Sequence, residues 1–275
     1  MGFFAQLDAA IKKNNSLLCV GLDPNPSLMP PGVDALTFNK TIIDATADIV
    51  CAYKPNLAFY EAAGQQGWDV LKQTINYIPK GIPVIADAKR GDIGNTSQAY
   101  AAAIFENLGA GAVTVSPYLG LDSVEPFLKN YPDKGVFILC RTSNQGATDF
   151  QSLPVKIDNL EMPLYQAVAR KAEQWNTLNN VGLVVGATYP AEMQELRKTH
   201  PDLPFLVPGI GAQGGDIKLT LETGLNTEGK GIIVNSSRQI LYASRGSDFA
   251  KNAALAAETL RQEINLYRQP CNKEN

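Results

Sequence analysis

The chain has 275 residues, 45% of them apolar and 19% charged, with a formal net charge of −3. That length suits one closed α/β barrel, and the composition excludes a disordered or fibrous chain. The slightly acidic balance argues against a nucleic-acid or anionic-membrane surface and leaves small molecules as the expected partners.

No apolar run approaches membrane-spanning length, and the first residues, MGFFAQLDAAIKK, lack the apolar stretch of a secretory signal. Cys19, Cys51, Cys140 and Cys271 lie far apart without CxxC spacing. The first three sit in or beside apolar runs, where a free thiol acts as a small hydrophobe, and a reducing cytoplasm is the expected location.

The segment FFAQLDAAIKKN has helical period. After it, short runs rich in Val, Ile and Leu alternate with longer amphipathic segments, eight times over. The runs are LLCVGLD (17–23), AYKPNLAF (52–59), PVIADAK (83–89), AVTVSP (112–117), VFILCRTS (136–143), VGLVVGAT (181–188), PFLVPGIG (204–211) and GIIVNSS (231–237). Each is nearly continuous in its apolar character, as parallel strands covered on both faces must be. TFNKTIIDATADIV, GWDVLKQTINYI, NTSQAYAAAIFENLG and the segments that follow later runs read as helices, several with polar caps before them and Gly after them. The expectation is a (β/α)8 TIM barrel forming a single domain over residues 1–275, with the first helix laid across its N-terminal face. A doubly wound open sheet would want GxGxxG after the first strand, and VGLDPNPS lacks it. Residues 144–162, the longest irregular piece, are expected to form a loop over the active face.

In a barrel, catalytic groups sit where strands end. Here the first run ends in Asp23, the second carries Lys54, and the third carries Asp87 and Lys89 with Asp92 beyond. The fifth ends in Arg141-Thr142-Ser143, and the eighth leads to Arg238. Side chains two apart on a strand share a face, so Asp87 and Lys89 are expected to meet at the barrel mouth. With Lys54 from the neighbouring strand they form an alternating array in which each charge favours ionisation of the next. For one Asp–Lys pair the plain alternative, a structural ion pair, would be preferred; four charges at adjacent strand ends favour chemistry. His200 ends a helix in RKTHPDLP and is assigned no function.

VPGIGAQGG (207–215), with Gly211 and Gly214, offers backbone N–H groups at close approach, and Arg238 on the next unit can hold phosphate bidentately. Strands seven and eight are the usual phosphate cradle of barrels that bind phosphate.

Across the whole chain these segments resemble the orotidine 5′-phosphate decarboxylases, most specifically in the DxKxxD signature Asp87-Ala88-Lys89-Arg90-Gly91-Asp92 within DAKRGDIGNT. GLDP, YKPN, RTSN and PGIGAQGG are similar to family segments and stand in the same order. The resemblance implies that Lys89 protonates C6 as CO2 leaves, that Asp87 lies beside the substrate carboxylate, and that Lys54 bridges this aspartate and the ribose. It implies a homodimer in which Asp92 crosses into the partner's site, ribose contacts from Asp23 and Thr96, reading of the pyrimidine amide by Ser143, and a phosphate grip by Gln213 and Arg238. One departure is visible: Asn144-Gln145-Gly146 stands where this branch often has Asn-Pro-Gly, so the loop entry loses the rigidity of proline.

Departure of CO2 from an orotate ring leaves an electron pair in the ring plane at C6, where the π system cannot delocalise it. A fixed ammonium such as Lys89 supplies the stabilising charge, so no metal and no cofactor is expected. The competing reading is a decarboxylase of sugar-acid phosphates that shares barrel and signature and uses Mg2+ to hold an enediolate. A third is a phosphate-binding barrel without activity, since fold alone does not establish catalysis.

Overall fold

The structure, a computed structural model, describes residues 1–211 and 214–268. Its strands in chain order are β1 (Leu18–Leu22), β2 (Ala52–Pro55), β3 (Ile85–Arg90), β4 (Ala112–Val115) and β5 (Gly135–Arg141). There follow β6 (Pro154–Ile157), β7 (Leu160–Pro163), β8 (Val181–Val185), β9 (Phe205–Val207) and β10 (Ile232–Ser236). Eight of them form one parallel sheet in the order β2-β1-β10-β9-β8-β5-β4-β3. The two ends of that sheet meet through bridges Tyr53 to Val84 and Asn56 to Asp87, so the barrel is nearly closed.

Every residue of β1, β2, β4, β8, β9 and β10 is buried. That is the physical reason these runs read as unbroken apolar stretches: helices cover one side and the packed barrel interior the other. Some of the helices begin at side-chain caps. Asp34 accepts from the Thr37 N–H at 2.9 Å and Asp216 from the Leu219 N–H at 2.7 Å, each satisfying an otherwise unpaired first-turn donor.

The N-terminal helix Phe3–Asn14 buries Phe3, Leu7 and Ile11 and closes the N-terminal face as expected. Phe3 and Phe4 stand edge-on to Phe137 of β5, at 6.0 and 5.7 Å. Gly135 permits this approach, since a Cβ there would lie 2.5 Å from the Phe3 ring. Cys19, Cys51 and Cys140 are free and buried, and burial pushes the Cys19 thiol up to about 12; Cys271 lies outside the described residues. Among the described residues no helix is long and apolar enough to cross a membrane.

Two expectations change. The second apolar run is a strand only to Pro55, because the Asn56 side chain accepts from the Ala58 N–H at 3.1 Å and caps a short helix, Leu57–Glu61. Residues 144–162 hold more order than a loop. A 3-10 turn covers Gln145–Asp149, and β6 and β7 pair antiparallel with Ile157 opposite Leu160. Their two-residue turn is Asp158-Asn159, at φ 50° and 64°, the left-handed pair that a tight hairpin needs and that Asp and Asn tolerate.

Candidate active site

The strand ends of the barrel surround a cavity of about 560 Å3, within the range of small-molecule sites. One side of it is charged and the opposite side apolar. Asp23, just after β1, stands beside Lys54 of β2 and Asp87 and Lys89 of β3, while Leu139 of β5, Val184 of β8, Leu206 of β9 and, just beyond it, Pro208 and Ile210 form the other side.

The charged side is a continuous chain of contacts. Lys54 Nζ lies 2.8 Å from Asp87 Oδ2, and Lys89 Nζ lies 2.6 Å from Asp87 Oδ1. Lys54 and Asp87 are 5% and 8% exposed, so neither charge is solvated and each depends on its partner. Burial on its own would raise the Asp87 carboxyl, but Lys54 and Lys89 outweigh it and hold the group far below the usual carboxylate range. Burial would likewise lower Lys54, and the opposing pull of Asp87 and Asp23 carries it above the usual lysine value instead. Lys89 differs: its side chain is 49% exposed and faces the open cavity, the position a proton donor to a bound ligand requires.

The sequence places Asp87 and Lys89 on one face by strand alternation, and the structure reaches that result by another route. The register of β3 against β4 shifts between Ala86 and Arg90, and Lys89 has φ 46°. A bulge with a left-handed lysine re-aims the side chain into the cavity. Thr114 of β4 stabilises the bulge: its hydroxyl accepts from the Lys89 N–H at 2.9 Å and donates to Asp87 Oδ1 at 3.0 Å. Thr114 is absent from the sequence-derived candidates; the available signal was one hydroxyl inside the run AVTVSP. Of the four charges in the signature, two therefore enter the cavity. Arg90 turns outward and pairs with Glu61.

Asp23 lines the cavity mouth, where its carboxylate accepts from Ser237 Oγ at 2.6 Å and from the Asn56 N–H at 3.2 Å. Tyr242 ties the same corner, donating to the Asp23 carbonyl at 2.6 Å and accepting from the Asn25 N–H at 2.7 Å. Ser143 lines the cavity beside Thr142 and Asn144. Gly186 leaves it room, for a Cβ there would lie 2.7 Å from the Ser143 nitrogen. Arg238 also borders the cavity and opens the short helix Arg238–Leu241.

Gly209 and Ile210 line the cavity, whereas Gly211 and Gly214 make the turn just beyond it, at φ 74° and 82°. The Gly214 N–H donates to the Gly211 carbonyl at 2.9 Å. Gln213 lies outside the described residues. Asp92 and Thr96 do not line this cavity; Asp92 accepts from the Ile93 N–H at 2.8 Å, and Thr96 is exposed. Among the described residues no three His, Cys, Asp or Glu side chains gather as a metal site.

Residues 16–252 match the model of the Orotidine 5′-phosphate decarboxylase / HUMPS family. An orotidine 5′-phosphate decarboxylase of Dehalococcoides mccartyi is 58% identical over 98% of this chain and 99% of its own, and one of Ralstonia nicotianae is 51% identical over 98% and 100%. Among solved structures, the OMP decarboxylase of Leishmania donovani superposes with a TM-score of 0.84 at 44% identity, covering 98% of this chain and 99% of that one. The UMP synthase of the same organism gives 0.88 at 47% identity over 98% of this chain, which spans 57% of the synthase.

Proposed function

The chain belongs to the orotidine 5′-phosphate decarboxylase / HUMPS family, and from that premise we propose that it converts orotidine 5′-phosphate to UMP and CO2, the last step of de novo UMP synthesis, as a single barrel domain without metal or organic cofactor. The observation that carries this reading is the Lys54–Asp87–Lys89 chain of contacts, at 2.8 and 2.6 Å, facing an apolar wall. The wall suits a flat pyrimidine ring, and the charges suit its C6 edge.

In the step itself the bond from C6 to the carboxylate breaks, CO2 leaves, and the electron pair stays on C6 in the ring plane. The Lys89 ammonium stabilises that pair and delivers a proton to it, and the resulting neutral amine regains a proton from solvent. Because Asp87 and Lys54 are fixed before substrate arrives, the field at C6 needs no reorganisation during the reaction. Asp87 also sets a buried negative charge beside the departing carboxylate. Both its oxygens already accept hydrogen bonds from Lys54, Lys89 and Thr114, which supports an electrostatic role over ligation of a cation. At the other end of the nucleotide, Arg238 and the Gly209–Gly215 turn are proposed to hold the phosphate. Gly211 and Gly214 belong to that same turn. Ser143 is proposed to read the pyrimidine amide and Asp23 the ribose.

Asp92 is proposed to reach the partner's cavity in a homodimer, and Thr96, which does not line this chain's own cavity, to contact the ribose. Supporting this, the surface beside them is apolar: Ile93, Tyr118, Leu119 and Leu121 are 53%, 84%, 45% and 41% exposed. The helices that follow this surface, Gly94–Ala102 and Leu121–Lys129, are joined through Ser97 Oγ, which donates to the Ser123 carbonyl at 2.7 Å.

The test is subunit complementation with orotidine 5′-phosphate as substrate, followed by loss of the orotate absorbance. Lys89→Ala and Asp92→Ala chains are each expected to be nearly inactive alone. Co-expressed in equal amounts, half the dimers are mixed and one of their two sites is intact, so activity should return to about a quarter of wild type. An active wild type with no recovery in the mixture would refute the shared site, and an inactive wild type would refute the decarboxylase reading.

A further inference from the structure

Ser143 sits on the turn Thr142–Asn144, and the contacts of that turn converge on a residue that neither the motif nor the family resemblance singles out. The Gln151 side chain lines the cavity. Its Oε1 accepts from the Thr142 N–H at 2.8 Å and from Arg141 Nη1 at 3.4 Å, while its Nε2 donates to Thr142 Oγ1 at 2.8 Å. The backbone N–H can only donate, so the amide orientation is fixed by chemistry. Thr142 Oγ1 passes the chain on, donating to Asn144 Oδ1 at 2.7 Å.

The backbone of Gln151 is held as firmly as its side chain. Its N–H donates to the Ala147 carbonyl and its carbonyl accepts from the Tyr165 N–H, both at 2.9 Å. On the opposite side, Thr188 Oγ1 donates to the Ser143 carbonyl at 3.1 Å and the Tyr189 hydroxyl to the Asn144 carbonyl at 3.2 Å. Arg141, 1% exposed, lies with its guanidinium 3.5 Å from the centre of the Tyr189 ring. The turn is thus clamped from two sides, and Gln151 is the clamp on the side of the 3-10 turn and the β6–β7 hairpin.

We propose that Gln151 is the positioning residue of the base-reading turn: it fixes Thr142 and thereby the aim of Ser143 at the pyrimidine amide. The proposal rests on the reading of Ser143 given above. Gln151 acts through the turn, so affinity for the base depends on it while affinity for the sugar phosphate does not.

Binding of two probes, UMP and ribose 5-phosphate, separates these dependences. Gln151→Leu is expected to weaken UMP by roughly tenfold or more and to leave ribose 5-phosphate within about twofold. Gln151→Glu keeps an acceptor for the Thr142 N–H but loses the donor, and should fall between Leu and wild type; it also serves where the Leu variant folds poorly. Combined with Ser143→Ala, Gln151→Leu should add little, because both remove the same recognition. Equal loss of both probes, loss of neither, or additivity with Ser143→Ala would overturn the proposal. Unchanged UMP binding in Ser143→Ala alone would instead overturn the reading of Ser143 on which it rests.

Discussion

Lys89→Ala is expected to lower turnover of orotidine 5′-phosphate by about 10^4-fold or more, since it removes the group proposed both to donate the proton and to place a cation at C6. Stability should barely move. The Lys89 side chain is 49% exposed, and an ion pair that open to water contributes about 1 kcal/mol or less. Asp87 keeps Lys54 at 2.8 Å and Thr114 at 3.0 Å after the change. Product affinity should also hold, because the apolar wall, the Ser143 turn and the turn proposed to hold the phosphate are untouched. A purified, folded variant turning over within tenfold of wild type would show that another group donates the proton.

The second large effect runs the other way, through stability. Asp87→Ala strands Lys54, which is 5% exposed, as a buried charge without its partner. The expected cost is about 3–5 kcal/mol, or roughly 10 °C in thermal unfolding for a chain of this size, together with loss of activity. Substituting the buried pair as a unit, Lys54→Met with Asp87→Leu, should recover much of the stability and none of the turnover. That outcome would separate what the array does for chemistry from what it does for the fold. Full stability in Asp87→Ala would contradict the account of Lys54 as a dependent buried charge.

The same pair fixes a pH dependence. Asp87 titrates lower folded than unfolded, so its contribution is complete above the unfolded carboxylate value of about 4 and is lost as pH falls through the still lower folded value. Lys54 titrates higher folded than unfolded, so its contribution is complete below about 10.4 and is lost as pH rises through the folded value. Stability from the array therefore holds across the neutral range.

The barrel was legible because a parallel strand buried on both faces has to be apolar throughout, and LLCVGLD or GIIVNSS admits few other readings. The first helix was legible from the period of Phe3, Leu7 and Ile11. What escaped depends on backbone conformations that composition does not encode. Lys89 looked like an ordinary strand residue and is a left-handed bulge. The β6–β7 hairpin escaped because its strands are only four residues each, and its turn signal is the unassuming pair Asp158-Asn159. Thr114 and Gln151 escaped because a lone hydroxyl or amide becomes informative only when its partners, Asp87 or Thr142, are placed beside it. The loop entry that departs from the family pattern, Asn144-Gln145-Gly146, starts a 3-10 turn at Gln145, so order here comes from contacts instead of proline.

The most direct measurement of the central claim is the turnover of orotidine 5′-phosphate by the purified protein before and after exhaustive treatment with EDTA. An electrostatic site built from Lys54, Asp87 and Lys89 predicts the same rate in both. Loss of activity in the chelator, restored by Mg2+, would contradict it and assign the barrel to metal-dependent chemistry.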